Sequence, residues 1–276
     1  MIDTWVTRLR EPRFGVVFVS AVVAFLMGTH WTPMGAPGAA VIALAVLRPQ
    51  LAVRPAVWWA MAGVWSAAAV LVHDQMEDHV YLFTAWLVAL ALSLARDDDS
   101  FLVHAAWQAR ILIGVTFTAA VAWKLYFGEF VTGTTLWLFM LVDSRFEPLA
   151  TVVGLSDTAI EQDRAGLTEL LTGTTGTVTL EAPDSVTWRI TALAVLTLVL
   201  EAVVAASHLM PDSSRLAALR LPSVVVFALV TYSVVPVLLF AAPLALLAMT
   251  AARWRREVLW VFPVLVFVIV LRLVLL

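Results

Sequence analysis

The chain has 276 residues, 62% of them hydrophobic and only 13% charged, with a mean hydropathy of +0.95. These values exclude a water-soluble globule and point to a polytopic membrane protein. The formal charge of -3 comes without a basic tract that would suggest nucleic acid, and the lack of cysteine excludes disulfides, thiolate metal sites and cysteine nucleophiles.

Arg8, Arg10 and Arg13 precede the apolar run Phe14–Met27, as in a signal peptide, but GTHWTP follows with no small-residue cleavage site, so the run reads as a retained first helix. Apolar runs predict helices near 14–31, 34–47, 56–73, 79–95, 105–127, 188–207, 222–235, 237–252 and 258–276. Pro236 and Pro243 interrupt the stretch Leu221–Ala252, which predicts two short or broken helices there. Arg8, Arg10, Arg13, Arg48, Arg54, Arg96, Arg215, Arg220, Arg253, Arg255 and Arg256 all fall on one side if nine helices cross with the N-terminus in the cytoplasm. The expected architecture is therefore all-α and integral to the membrane: about nine transmembrane helices in a single domain, 1–276, with the C-terminus extracytoplasmic.

The one sizeable polar segment, 144–187, falls outside in this topology, between the fifth and sixth spans. Thr158 and Glu161 fit a capping box that opens a helix over DTAIEQDRAGLTELL, and GTVTLEAPDSV reads as a hairpin or extended piece. The apolar TTLWLFMLV before it is too short to span and is expected in the outer leaflet. Together these form an expected cap over an outward-facing cavity; an ordinary ordered loop is the alternative.

Lys124 is the chain's only lysine, set near the end of an apolar run that also holds Arg110. Arginine stays charged under all conditions, whereas a desolvated lysine can lose its proton. Val121, Phe117, Gly114 and Arg110 lie on the same helical stripe as Lys124. The plain alternative is a lysine that snorkels to the headgroups. His79 opens the preceding run, so on an antiparallel neighbour it lies at the depth of Lys124, with Tyr81, Tyr126 and Glu129 close by in sequence. Glu201 is the sole carboxylate of the run 188–207. An unpaired charge there costs about 2.5–3.5 kcal/mol, so Glu201 is expected to form a structural pair with Arg110. Arg272 is expected to snorkel near the outer end of the last run. His30, His73, His104 and His208 lie near helix ends without metal-ligand spacing, and no metal is expected.

HVYLFTAWLVALALS (79–93) resembles the helix bearing N-H-x-Y-L in vitamin K-dependent gamma-glutamyl carboxylase and its bacterial relatives, the HTTM membrane domains. QARILIGVTFTAAVAWKLYFGEFVTG (108–133) resembles the helix that follows, in which an arginine precedes a catalytic lysine by the same interval. The resemblance covers roughly 75–133 and is thin over 188–252. It implies Lys124 as the base that deprotonates a reduced isoprenoid quinone (vitamin K or menaquinol) and His79 as its assistant, with Tyr81, Phe117, Trp123 and Tyr126 around the cofactor. In the family, oxygen then converts the quinol to a strong base that removes a glutamate gamma-proton before CO2 adds. Trp123-Lys124 stands where the carboxylase has a lysine pair, and Phe117 where it has a tyrosine. The carboxylase's large outer domain has no counterpart in these 276 residues, so a separate protein partner supplying it is expected.

The function this implies is a quinol-dependent epoxidase- or carboxylase-type membrane enzyme. The alternative is a non-catalytic membrane subunit, or a quinone- or lipid-binding protein, that keeps the fold. A transporter would call for an inverted repeat and further midplane charges, and neither is evident.

Overall fold

The computed structural model describes residues 7–29, 34–71, 78–155, 157–173, 184–234 and 238–255. Every regular element among them is helical. In chain order these are α1 (Pro12–Gly28), α2 (Gly35–Leu47), α3 (Pro49–Ala52), α4 (Pro55–Leu71), α5 (Asp78–Leu94) and α6 (Asp98–Phe127). Then follow α7 (Thr134–Val142), α8 (Glu147–Val153), α9 (Asp157–Leu171), α10 (Asp184–Leu209), α11 (Arg220–Val234) and α12 (Leu238–Ala251). Among the described residues three helical stretches are long and apolar enough to cross a membrane: Asp98–Phe127, Asp184–Leu209 and Arg215–Tyr232. The other apolar helices are shorter, from 13 residues in α2 to 17 in α1, α4 and α5. The expected final span, 258–276, and the expected hairpin over GTVTLEAPDSV lie outside the described residues, apart from the last three hairpin residues, which open α10.

The main core centres on α12, whose residues 241–250 are all buried. A helix apolar on every side has no face to offer solvent or lipid and belongs in the middle of a bundle. It packs against α6, α1 and α5. Pro243 does not interrupt it, contrary to the expectation from sequence. The backbone bond that proline forfeits is outweighed by burial on all sides. Pro236 lies outside the described residues.

Two buried polar groups of this core are matched to each other, while the Trp65 indole N–H is buried without a partner. Trp86 donates its indole N–H to Ser20 Oγ at 3.0 Å, and Ser20 in turn bonds the Val16 carbonyl. α1 and α2 form a close hairpin in which Gly38 meets the Phe25 backbone. At the end of the bundle that holds the α5–α6 turn, Arg13 bonds the Leu94 carbonyl at 2.9 Å and pairs with Asp98.

A second, smaller core joins the cap to the bundle. Leu136, Trp137, Met140 and Leu141 of α7 pack with Leu149 and Val153 of α8, Ile160 of α9, and Val186 and Ile190 of α10. One face of TTLWLFMLV is thus buried against protein, while Leu138, Phe139 and Val142 stay exposed. Gly133, at φ 88°, makes the left-handed turn that starts α7. Arg164 donates to the Leu141 carbonyl at 2.7 Å and Arg189 to the Val153 carbonyl at 2.8 Å. The helix expected over DTAIEQDRAGLTELL is α9, Asp157–Leu171.

Candidate functional site

α6 presents the stripe Arg110, Gly114, Phe117, Val121 and Lys124 to the protein, while Val115, Trp123, Leu125, Tyr126 and Phe127 are exposed. The close approach to α10 is at Gly114, whose missing side chain admits Leu209 and His208. This contact fixes the axial register of two antiparallel helices, and with it every charge pair between them.

Lys124 lies ten residues beyond Gly114, about 15 Å along the axis. There Glu201, one to two turns before His208 on α10, receives its ammonium in an ion pair. Arg110 lies one turn on the other side of Gly114, past the end of α10, where its guanidinium meets Asp212 at 2.7 Å. The expected pair of Arg110 with Glu201 is therefore not formed. The register expected from sequence is displaced by about three helical turns, so each charge takes a different partner.

Lys124 and Glu201 line a cavity of about 240 Å³ under the cap. Its walls are apolar: Phe130, Phe139, Phe146, Leu193 and Leu196 among others, with Thr197 and Thr231 the remaining polar residues. The Lys124 ammonium also sits 4.7 Å from the centre of the Phe130 ring, within cation–π range. Glu201 is only 6% exposed, and its Oε2 is buried without a hydrogen-bond partner. An unmatched buried carboxylate oxygen costs about 1–3 kcal/mol or more, which a ligand hydroxyl or amide would recover. The arrangement amounts to a greasy chamber with one charged pair, able to fix the polar end of a largely apolar molecule.

Comparison with protein-family models, curated proteins and solved structures finds no match.

The other expected site residues are dispersed. His79 is buried, but its ring lies 6.4 Å from that of Phe240 on α12, and it does not line the cavity with Lys124. The central helix α12 takes up the face of α5 on which His79 lies, so matched depth did not bring the histidine and the lysine together. Phe117 is buried in an edge-on contact with Phe227 at 4.8 Å, part of the core rather than of the cavity wall. Trp123 and Tyr126 are 66% and 81% exposed on the outer face of α6, packed on Phe127, and Tyr81 is 44% exposed. The expected ring-binding quartet is thus not assembled around Lys124. Phe130, Phe139 and Phe146 stand there instead, and Phe139 and Phe146 lie in the segment read from sequence only as a cap.

A second concavity, about 460 Å³, opens at the other end of α10. Asp212 accepts from both Arg110 and Arg220 through the same oxygen, Oδ1. The Arg220 guanidinium, helped by Arg110 and Arg253, holds the Asp212 carboxyl below the usual carboxylate range. Arg220 is further fixed by bonds to the Ser207 and Met210 carbonyls at 3.0 and 2.6 Å. Sequence reasoning named Arg110 and Arg220 but missed Asp212 as the partner of both; the one signal for it was a lone acidic residue placed between a long apolar run and Arg215.

Proposed function

We propose that the chamber under the cap binds the ring of a reduced isoprenoid quinone, and that the chain is a carboxylase-related, HTTM-like membrane protein in which Lys124 handles a hydroxyl proton. The observation that carries this reading is the Lys124–Glu201 pair at the wall of an otherwise apolar cavity, with Glu201 Oε2 left unmatched. A bound quinol would supply an acidic hydroxyl and two reducing equivalents. The chain's own part is to orient that hydroxyl between the ammonium and the carboxylate, and to keep water out with three phenylalanines and a ring of leucines. At about 240 Å³ the chamber is smaller than the roughly 300–1,000 Å³ of sites that enclose a whole drug-sized ligand. A ring would sit inside while its isoprenoid tail stayed in lipid. The position of His79 favours a second reading, a binding protein without catalysis, because the assistant that the family resemblance implies does not face the lysine.

The two readings part at Lys124→Arg. Arginine keeps the charge and the pairing with Glu201 but does not release its proton. Protein purified in mild detergent should carry a quinone detectable by mass spectrometry, in the wild type and in Lys124→Arg alike, while quinol oxidation is lost in the variant. Full quinol-dependent activity in Lys124→Arg would remove the base role and leave the binding role. If no quinone co-purifies and none binds on addition of menaquinol, the chamber has been misread.

We further propose nine crossings, N-terminus in the cytoplasm and the cap outside, on the strength of the arginine distribution and the helices over the first eight expected runs. Five of those helices are short, and tilting cannot lengthen them, so local thinning of the bilayer is part of the proposal. Ser185 in the first turn of α10 and Ser213 beyond its end are both exposed. In a chain without native cysteine, Ser185→Cys should label from outside and Ser213→Cys only after permeabilisation. Labelling of both from one side would rule out the crossing by α10.

A further inference from the structure

The concavity at the far end of α10 has no part in the quinol reading. Its wall carries His208, Arg220, Arg253 and Arg255 against one carboxylate, Asp212. That carboxylate serves Arg110 and Arg220 through a single oxygen, so the cluster keeps a clear excess of positive charge. Arginines that merely set topology need only lie near helix ends. These converge on one hollow of about 460 Å³, and the backbone is bent to bring Arg253 there.

The bend is specific. Arg253 and Trp254 are the two described non-glycine residues in the left-handed region, at φ 58° and 53°. Each costs on the order of 1–2 kcal/mol, and such strain persists only where the surroundings over-determine it. Trp254 is the anchor: it is buried, donates its indole N–H to the Leu9 carbonyl at 3.2 Å, and occupies the space that a side chain on Gly15 would need. The reversal leaves Arg253 at the hollow, close enough to Asp212 to act on its carboxyl, and exposed to solvent. Arg220, where the helical turn Arg215–Leu219 runs on into α11, lines the same hollow.

We infer that this hollow is a binding site for a phosphate group, held by Arg253, Arg255 and Arg220 beside the start of α11. Two sources offer that chemistry where an arginine-rich hollow lies at the end of a membrane bundle: the headgroup of an anionic phospholipid in the adjoining leaflet, and a soluble phosphate ester.

The test uses the full chain in detergent, with thermal unfolding and native mass spectrometry in the presence of phosphatidylglycerol, phosphatidylcholine or inorganic phosphate. The comparison proteins are Arg253→Gln/Arg255→Gln and Ala218→Glu. All three positions are exposed, and Ala218→Glu sets a second carboxylate at the hollow without removing any contact. A lipid site predicts that phosphatidylglycerol raises the wild-type unfolding midpoint and is retained in the spectrometer, phosphatidylcholine is not, and both variants bind at least tenfold more weakly. A soluble-ester site predicts that inorganic phosphate at millimolar concentration produces the stabilisation, again lost in both variants. The inference is overturned if the variants bind phosphatidylglycerol and phosphate as the wild type does. It is equally overturned if the wild type discriminates neither phosphatidylglycerol from phosphatidylcholine nor phosphate from chloride.

Discussion

Lys124→Leu should destabilise the protein by about 3–5 kcal/mol, the usual consequence of leaving one member of a buried ion pair without the other. Glu201→Leu should cost less. The Glu201 side chain is 8% exposed and the Lys124 side chain 21%, so an abandoned carboxylate is the more deeply stranded of the two. The abandoned lysine keeps the Phe130 ring and has a flexible stem with which to reach the surface. The double variant should recover most of the loss, since two leucines suit a chamber already walled by leucine and phenylalanine, and exchanging a buried pair for apolar groups is often neutral or better. Thermal unfolding in detergent, with yield as a second readout, measures all three. Strictly additive losses would mean that the two residues do not interact. The same double variant should lose any bound quinone, which separates the contribution of the pair to the fold from its contribution to the ligand.

Gly38→Ala should cost about 1–3 kcal/mol despite the better helix propensity of alanine, because overpacking at a backbone contact has no flexible side chain to absorb it. A Cβ there would stand 2.6 Å from Phe25 Cα, so α1 and α2 would have to separate. Small residues at helix crossings in membranes serve this kind of approach. Gly63 in α4 is the matched control: a Cβ there meets nothing within 4 Å, and Gly63→Ala should stabilise by up to about 1 kcal/mol. Equal effects at the two glycines would remove the close crossing as the reason for Gly38.

The helices were legible in the sequence because each apolar run is bounded by arginine, proline or acidic residues, and those boundaries fall within a few residues of α1, α2, α4 and α5, while α6 starts seven residues before its expected position 105. The stripe on α6 was legible too, because helical period alone decides which side chains share a face. Period does not decide how far one helix slides along another. Arg110 and Glu201 were matched by depth, and the Gly114 contact with His208 and Leu209 shifts that match. His79 failed for a related reason: two residues at one depth on adjacent helices still need facing sides. Here α12, buried along residues 241–250, stands against His79 through Phe240. The aromatic wall of the chamber was hidden because Phe139 and Phe146 belong to short helices, whose position over the bundle depends on long-range packing rather than on local pattern.

The bond from Trp254 to Leu9 joins residues 245 apart in the chain, and α12 packs along α1. Synthesis at about 5–20 residues per second separates the two by roughly ten to fifty seconds. For that interval α1 is without this neighbour and has α2 to pack against. The left-handed turn at Arg253–Trp254 therefore joins α1 only after most of the chain between them has been made. Truncations that stop short of Trp254 should leave the first helix accessible to protease or crosslinker long after the middle of the chain has become protected.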